Sequence, residues 1–273
     1  MEILRRFLSF YLKRIFPYIY RFRGAYRFSK ILETLAEPAV SIDEEPTSIF
    51  EKEWDNLIIL DACRYDIFTE VTGREGYRIT KASNSQGFIR ENFSEGQFKD
   101  VVYVSGNPHF YPKIFREDTN RDIDDVFADV FDTFQSDWDE ENGVVMPDPL
   151  CRDALTARKL FPDKKIITHF MQPHTPYVRS DVNQSPNEIG AENNIVSELT
   201  KAQRGQISRD KVVHDYKQNL ELVWDKVQDL ADELEGRTFL TADHGELLGE
   251  WGRYGHYEGS KAEGLRKVPW VEI

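Results

Sequence analysis

Four places in this sequence set metal-binding side chains at regular points of the chain. Asp61 closes the apolar run Asn56-Leu57-Ile58-Ile59-Leu60. His169 and His174 fall in His169-Phe170-Met171-Gln172-Pro173-His174-Thr175-Pro176-Tyr177. Asp243-His244-Gly245-Glu246 follows Thr238-Phe239-Leu240-Thr241-Ala242, and His256 comes twelve residues after His244. Carboxylate oxygens and imidazole nitrogens without thiolates suit Zn²⁺, Mn²⁺ or a related divalent ion. Each signal has an ordinary structural explanation as well. An aspartate after a strand caps turns, Asp-His-Gly is a common tripeptide, and a histidine inside a strand can be a hydrogen-bonded core residue. In a chain with six histidines, the constellation rather than any single motif carries the chemistry.

Such residues converge when a parallel sheet delivers them at the carboxyl ends of its strands. The flanking sequence supplies that sheet. Asn56–Leu60 is a continuous apolar run, as a strand buried on both faces requires. Val101–Val104, Lys165–Phe170 and Thr238–Ala242 read as further strands. Helical periodicity separates them, longest over 210–235, where Val213, Tyr216, Leu220, Val223, Val227, Leu230 and Leu234 keep a 3.6-residue period. The alternation predicts an α/β fold: a doubly wound, mostly parallel sheet with helices on both faces. The stretch Ser180–Asp210, rich in Asn, Ser, Glu and Gln, reads as a long functional loop over the pocket.

Charge divides the chain. Residues 1–30 carry eight basic side chains against Glu2, leaving 27 basic and 47 acidic residues in the remainder, a balance of −20. The acidic body excludes a general nucleic-acid-binding surface. Leu4, Phe7, Leu8, Tyr11, Ile15 and Phe16 line one side of a predicted helix over 2–16, with Arg5, Arg6, Lys13 and Arg14 on the other. Residues 1–37 therefore read as a basic amphipathic arm, 38–54 as a linker and 55–273 as the catalytic domain. The arm combines the two signals that hold a helix at an anionic bilayer, so peripheral membrane contact through 1–30 is expected, with packing on the acidic body as the alternative. No apolar stretch is long enough for a transmembrane helix and no signal peptide is evident, so the expected location is cytoplasmic, on the inner face of the membrane if the arm binds it. Cys63 and Cys151 describe neither a disulfide framework nor a thiolate site.

Three segments, Asn56-Leu57-Ile58-Ile59-Leu60-Asp61-Ala62-Cys63-Arg64-Tyr65-Asp66, Gln172-Pro173-His174-Thr175-Pro176-Tyr177 and Thr241-Ala242-Asp243-His244-Gly245-Glu246-Leu247-Leu248-Gly249-Glu250, resemble the metal-site segments of the alkaline phosphatase–sulfatase superfamily. The resemblance covers residues 54–273 and is nearest to short sulfatase-like proteins of archaea. It implies Asp61, Asp243 and His244 as ligands of a divalent metal (Mn, Zn, Mg or Ca). His174 and His256 match positions that bind a second metal or the substrate's oxyanion, and either would stabilise the transferred group or protonate the leaving oxygen. His169 stands where two-metal relatives carry an aspartate ligand, which leaves one or two ions open.

The resemblance places the nucleophile at a helix N-terminus between the first two strands, where Ala82-Ser83-Asn84-Ser85-Gln86-Gly87 lies. Ser85 aligns best and Ser83 is the rival. Neither serine nor Cys63 sits in the Cys/Ser-x-Pro-x-Arg motif that sulfatases mature to formylglycine, so a plain serine favours phosphoryl over sulfuryl chemistry. Arg64, Arg90 and Tyr177 are candidates for substrate contact. The implied activity is a metal-dependent hydrolase or transferase of a small-molecule, glycan or lipid ester. No lysine neighbours the serines and the family's C-terminal subdomain has no counterpart before Ile273, so a non-catalytic binding member is the other reading.

Overall fold

A computed structural model describes residues 44–180 and 197–273. The basic arm, the first part of the linker and residues 181–196 of the 180–210 stretch lie outside the described residues.

In chain order the main elements are β1 (Asn56–Leu60), α1 (Tyr65–Thr72), β2 (Tyr77–Ile79), α2 (Ser85–Phe93), β3 (Phe98–Ser105), α3 (Pro112–Thr119), β4 (Phe127–Asp132), α4 (Pro147–Leu160), β5 (Lys165–Phe170), α5 (Arg209–Glu233), β6 (Thr238–Thr241), α6 (Glu263–Arg266) and β7 (Lys267–Glu272). Seven strands form one sheet in the order β2-β7-β6-β1-β5-β3-β4. β6, β1, β5, β3 and β4 pair in parallel, and β7 runs antiparallel to both its neighbours. Ile59 stands opposite both His169 and Thr241, so the three central strands reach their carboxyl ends at one level.

The period of two along each strand sorts its side chains into two cores. Ile58, Leu60, Val102, Val104, Ile166 and Leu240 pack under α1, α4 and α5, with Phe68, Ala154, Tyr216 and Val223. Leu57, Ile59, Val101, Tyr103, Ile167 and Phe239 face α2 and α3, with Phe88, Phe93 and Phe115. This is the doubly wound arrangement expected. Fully burying each such side chain contributes about 1.5–3 kcal/mol, which fixes the strand register that the site depends on.

Two stretches without periodicity are ordered by packing. Ile49 and Trp54, placed in the linker by their sequence, are buried against the second core. The Trp54 indole N–H donates to the Ile49 carbonyl at 2.8 Å and Phe50 stacks on Phe98. In the expected loop 180–210, Glu198–Gln203 is a helical turn capped by Ser197, with Leu199 and Ala202 buried.

Candidate active site

At the carboxyl edge of the central strands the chain turns sharply twice. Ala62 adopts φ +58, unusual for a residue with a Cβ, and this turn brings its N–H to within 3.0 Å of Asp243 Oδ1. Asp243 is held in return: its Oδ1 also accepts from the His244 N–H at 2.8 Å, and its carbonyl accepts from Thr80 Oγ at 2.7 Å. Asp61 ends β1 directly beside it.

α2 aims Ser85 at these carboxylates. Its N-cap is Asn84, whose side chain accepts from the Gly87 N–H at 2.9 Å. Neither serine is therefore spent as a cap. Ser85, the first helical residue, points its Oγ to Asp243 Oδ2 at 2.8 Å, with Asp61 Oδ2 at 3.4 Å and His244 Nε2 at 3.3 Å. Ser83 turns the other way and donates to the Tyr257 carbonyl at 2.6 Å. The two serines are thus separated by geometry: Ser85 is in the cluster and Ser83 is structural.

One ligand atom from each of Asp61, Asp243 and His244 lies within 4.8 Å of the others, and all three residues are buried. His244 Nδ1 sits 2.7 Å from the Gly245 carbonyl, which sets the tautomer with the proton there and leaves the Nε2 lone pair facing the carboxylates. Asp61 Oδ1 has no hydrogen-bond partner although it is buried. Burial, and then the charge of Asp243, push the Asp61 carboxyl well above the ordinary carboxylate range. Three acceptors converging in the interior with an unsatisfied oxygen among them call for a cation. The residues present fit a divalent metal.

A second group sits beside the first. His174, Glu246 and His256 bring one ligand atom each within 4.8 Å. His174 Nδ1 is 2.5 Å from the Thr175 carbonyl, and His256 Nδ1 lies 3.1 Å from Glu246 Oε1. The rings of His256 and His244 are 4.4 Å apart, and those of His256 and His174 5.3 Å. This group can hold a second cation or bind the oxygens of an anionic substrate.

α5 clamps both turns from beneath. Tyr216 Oη donates to the Ala62 carbonyl at 2.7 Å and accepts from the Arg64 N–H at 2.9 Å. One helical turn on, Asn219 bonds the His174 carbonyl at 3.0 Å and the Val178 N–H at 3.1 Å.

No protein-family model matches the sequence, and no curated protein matches it. Solved structures do match in shape. The soluble domain of lipooligosaccharide phosphoethanolamine transferase A from Neisseria meningitidis superposes with a TM-score of 0.52 at 16% identity, over 79% of this chain and 75% of that domain. The integral membrane form of the same transferase gives 0.52 at 15% identity, over 90% of this chain and 54% of that one. This chain thus spans about half of the membrane protein. The fold is shared. It is a doubly wound, mostly parallel α/β sheet, as anticipated from the sequence, and at these identities the likeness concerns the fold alone.

Other expected residues fall elsewhere. His169 joins neither ligand group. Its place in β5 turns it into the aromatic core beside Phe88 and Phe110, where Nδ1 meets Tyr103 Oη at 2.9 Å and Nε2 stays 3.8 Å from Asp243 Oδ2. Burial holds its pKa down to about 4, so it stands neutral behind Asp243. Arg64, expected at the substrate, is occupied: it pairs with Asp66 at 2.7 Å and Glu250 at 2.8 Å and donates to the Glu246 carbonyl at 3.0 Å. Tyr177 is buried in the first core with its ring against Tyr216. Arg90 is exposed on α2 and pairs with Glu258.

Two residues of the site are not singled out as candidates by the sequence. Glu246 was read only as part of Asp-His-Gly-Glu, and its pairing with His256 depends on the fold. Asn107, just past β3, donates to Asp61 Oδ2 at 2.7 Å and lies 3.4 Å from Ser85 Oγ. The turn Ser105-Gly106-Asn107-Pro108 was its visible signal.

Proposed function

We propose that this protein is a divalent-metal-dependent phosphoryl-transfer enzyme, a hydrolase or transferase of phosphate esters, with Ser85 as nucleophile. The observation that carries the reading is the position of Ser85 Oγ, at a helix N-terminus and within 3.4 Å of Asp61, Asp243 and His244 side-chain atoms. Asp61, Asp243 and His244 would hold the metal, and when bound it lowers the cost of a serine alkoxide and offsets charge on the phosphoryl group. Ser85 Oγ attacks phosphorus, the ester P–O bond breaks, and water or an alcohol later displaces Ser85. Asn107 orients Asp61 for this work. The α2 N-terminus favours the anionic group at Ser85, and His174 and His256 bind its remaining oxygens.

A serine with no maturation motif around it favours phosphate over sulfate esters. The lipooligosaccharide in the name of the N. meningitidis protein makes lipid- or glycan-borne phosphate esters the first substrates to try. Residues 1–30 would hold the enzyme on the inner face of a membrane. Among the described residues no helix is long and apolar enough to cross one. Kinship with short archaeal sulfatase-like proteins rests on the sequence segments.

The test pairs metal content with turnover of phosphate monoesters, diesters and sulfates in Mn²⁺, Zn²⁺, Mg²⁺ or Ca²⁺. Asp243→Ala should lose both metal and turnover, whereas Ser85→Ala should keep the metal and lose turnover. Purified protein that binds none of these ions, with Asp243→Ala unchanged in stability, would leave a binding protein of the same fold.

A further inference from the structure

The site has a sealed floor and an open rim. Asp61, Ser85, Asp243 and His244 are buried, while His174, His256 and His109 are partly exposed. His174 and His256 belong with Glu246 to one group. His109 stands apart, on the β3 side, in the single helical turn Pro108–Phe110.

Its main chain is tied to the floor. The His109 N–H donates at 2.8 Å to Asn107 Oδ1, and the other end of that amide donates at 2.7 Å to Asp61. Its ring is backed by a carboxylate: Nδ1 lies 3.6 Å from Oδ2 of Asp118 on α3, an ion-pair separation, and neither atom has another partner. The His109 side chain is 33% exposed against 12% for Asp118, and Nε2, unlike Nδ1, is not sealed from solvent. A half-buried carboxylate behind one nitrogen and an open second nitrogen is the arrangement by which imidazoles carry protons.

We propose that His109, positioned by Asp118, is the proton carrier of the reaction: its Nε2 protonates the departing oxygen and takes the proton of the incoming one. This rests on the serine-nucleophile reading. In an in-line displacement at phosphorus the leaving and entering oxygens occupy the same place, opposite Ser85, so one group on the open side serves both halves. As the Ser85 Oγ–P bond forms and the ester P–O bond breaks, the electron pair leaves on the ester oxygen and the His109 Nε2 proton moves to it. As water or an alcohol attacks phosphorus, its proton returns to Nε2, and the P–Oγ pair returns to Ser85, which ends the cycle as the alkoxide it began as. Burial lowers the His109 pKa from its ordinary value, Asp118 and Asp243 pull it back up, and His256 pushes it down. Arg90 acts on the dyad from α2 through Asp118.

The experiment is a leaving-group series of phosphate esters, from 4-nitrophenyl through phenyl to alkyl, on the metal-loaded full-length protein. His109→Gln should lower kcat/KM about 10²-fold or more on the alkyl ester and less than about tenfold on the nitrophenyl ester, whose oxygen departs without a proton. Asp118→Asn should show the same tilt with smaller losses. Equal losses across the series, or none, would overturn the role of His109 while leaving the serine reading in place. Wild-type protein inactive on every ester would sink both. Should His109→Gln melt early, the tilt in Asp118→Asn and His109→Asn decides, and its absence from both overturns the proposal.

Discussion

Replacing Asn219 by leucine removes hydrogen bonds without opening a cavity, because the two side chains share the same branched heavy-atom skeleton and leucine is the bulkier. Asn219 is 1% exposed on the inner face of α5. Its amide bonds the His174 carbonyl at 3.0 Å and accepts from the Val178 N–H at 3.1 Å, while contacts to the Pro173 and Pro176 carbonyls at 3.3 and 3.4 Å are at the edge of hydrogen-bond geometry. The short pair dominates. Each buried group left unpaired costs about 1–3 kcal/mol. His174 and Val178 are themselves half-buried, so water relieves part of this and the low end of the range, about 1–1.5 kcal/mol per group, applies, about 2–3 kcal/mol in all. For a chain of this size each kcal/mol moves Tm by about 2–4 °C, so Asn219→Leu should melt about 4–12 °C below wild type by calorimetry on metal-free protein. Turnover should fall too, since the same bonds place His174. Asn219→Asp should do worse at neutral pH and recover on acidification, because a carboxylate would face carbonyl oxygens until it is protonated. A Tm within about 2 °C of wild type for Asn219→Leu would refute the claim that this amide fixes the His174 loop.

Gly245→Ala should destabilise by about 1–3 kcal/mol and weaken metal binding, since its Cβ would stand 2.1 Å from the Gly264 carbonyl of α6 and displace the backbone that orients His244; denaturant unfolding with m unchanged measures it. Asn107→Leu should leave the fold standing and lower kcat about 10-fold or more by freeing Asp61 and Ser85 to drift, with kcat measured at saturating metal. His169 gives a pH signature. The folded protein keeps it neutral down to about pH 4, whereas the unfolded chain takes up its proton near the ordinary 6.5. The native state thus binds fewer protons between these values, and stability is lost as pH falls from about 6.5 toward 4. His169→Gln, neutral throughout, should flatten that slope in metal-free protein, with His244, His174 and His109, also lowered by burial, supplying part of what remains; an unchanged slope would mean His169 is protonated in the fold.

The sequence alone determined the elements and the chemical types. An uninterrupted apolar run such as Asn56–Leu60 has few choices but a strand buried on both faces, and the heptad-like spacing over 210–235 forces one side of a helix inward. Asp61, Asp243 and His244 were legible for the same local reason: each ends or follows such a strand, and parallel strands deliver their ends to one edge. Ser85 and Ser83, two residues apart, could not be told apart in sequence; the choice depends on Asn84 taking the cap and on the Tyr257 carbonyl, 174 positions from Ser83, claiming its hydroxyl. His169, Arg64 and Tyr177 looked functional because their types are; tertiary contacts spend them on Tyr103, on Asp66 and Glu250, and on the packing against Tyr216. Asn219, His109 and Asp118 stayed silent for the converse reason, and Asn107 showed only as a turn residue. Their partners lie on other strands and helices, and a hydrogen bond or charge pair across the fold leaves no periodicity in the chain that makes it.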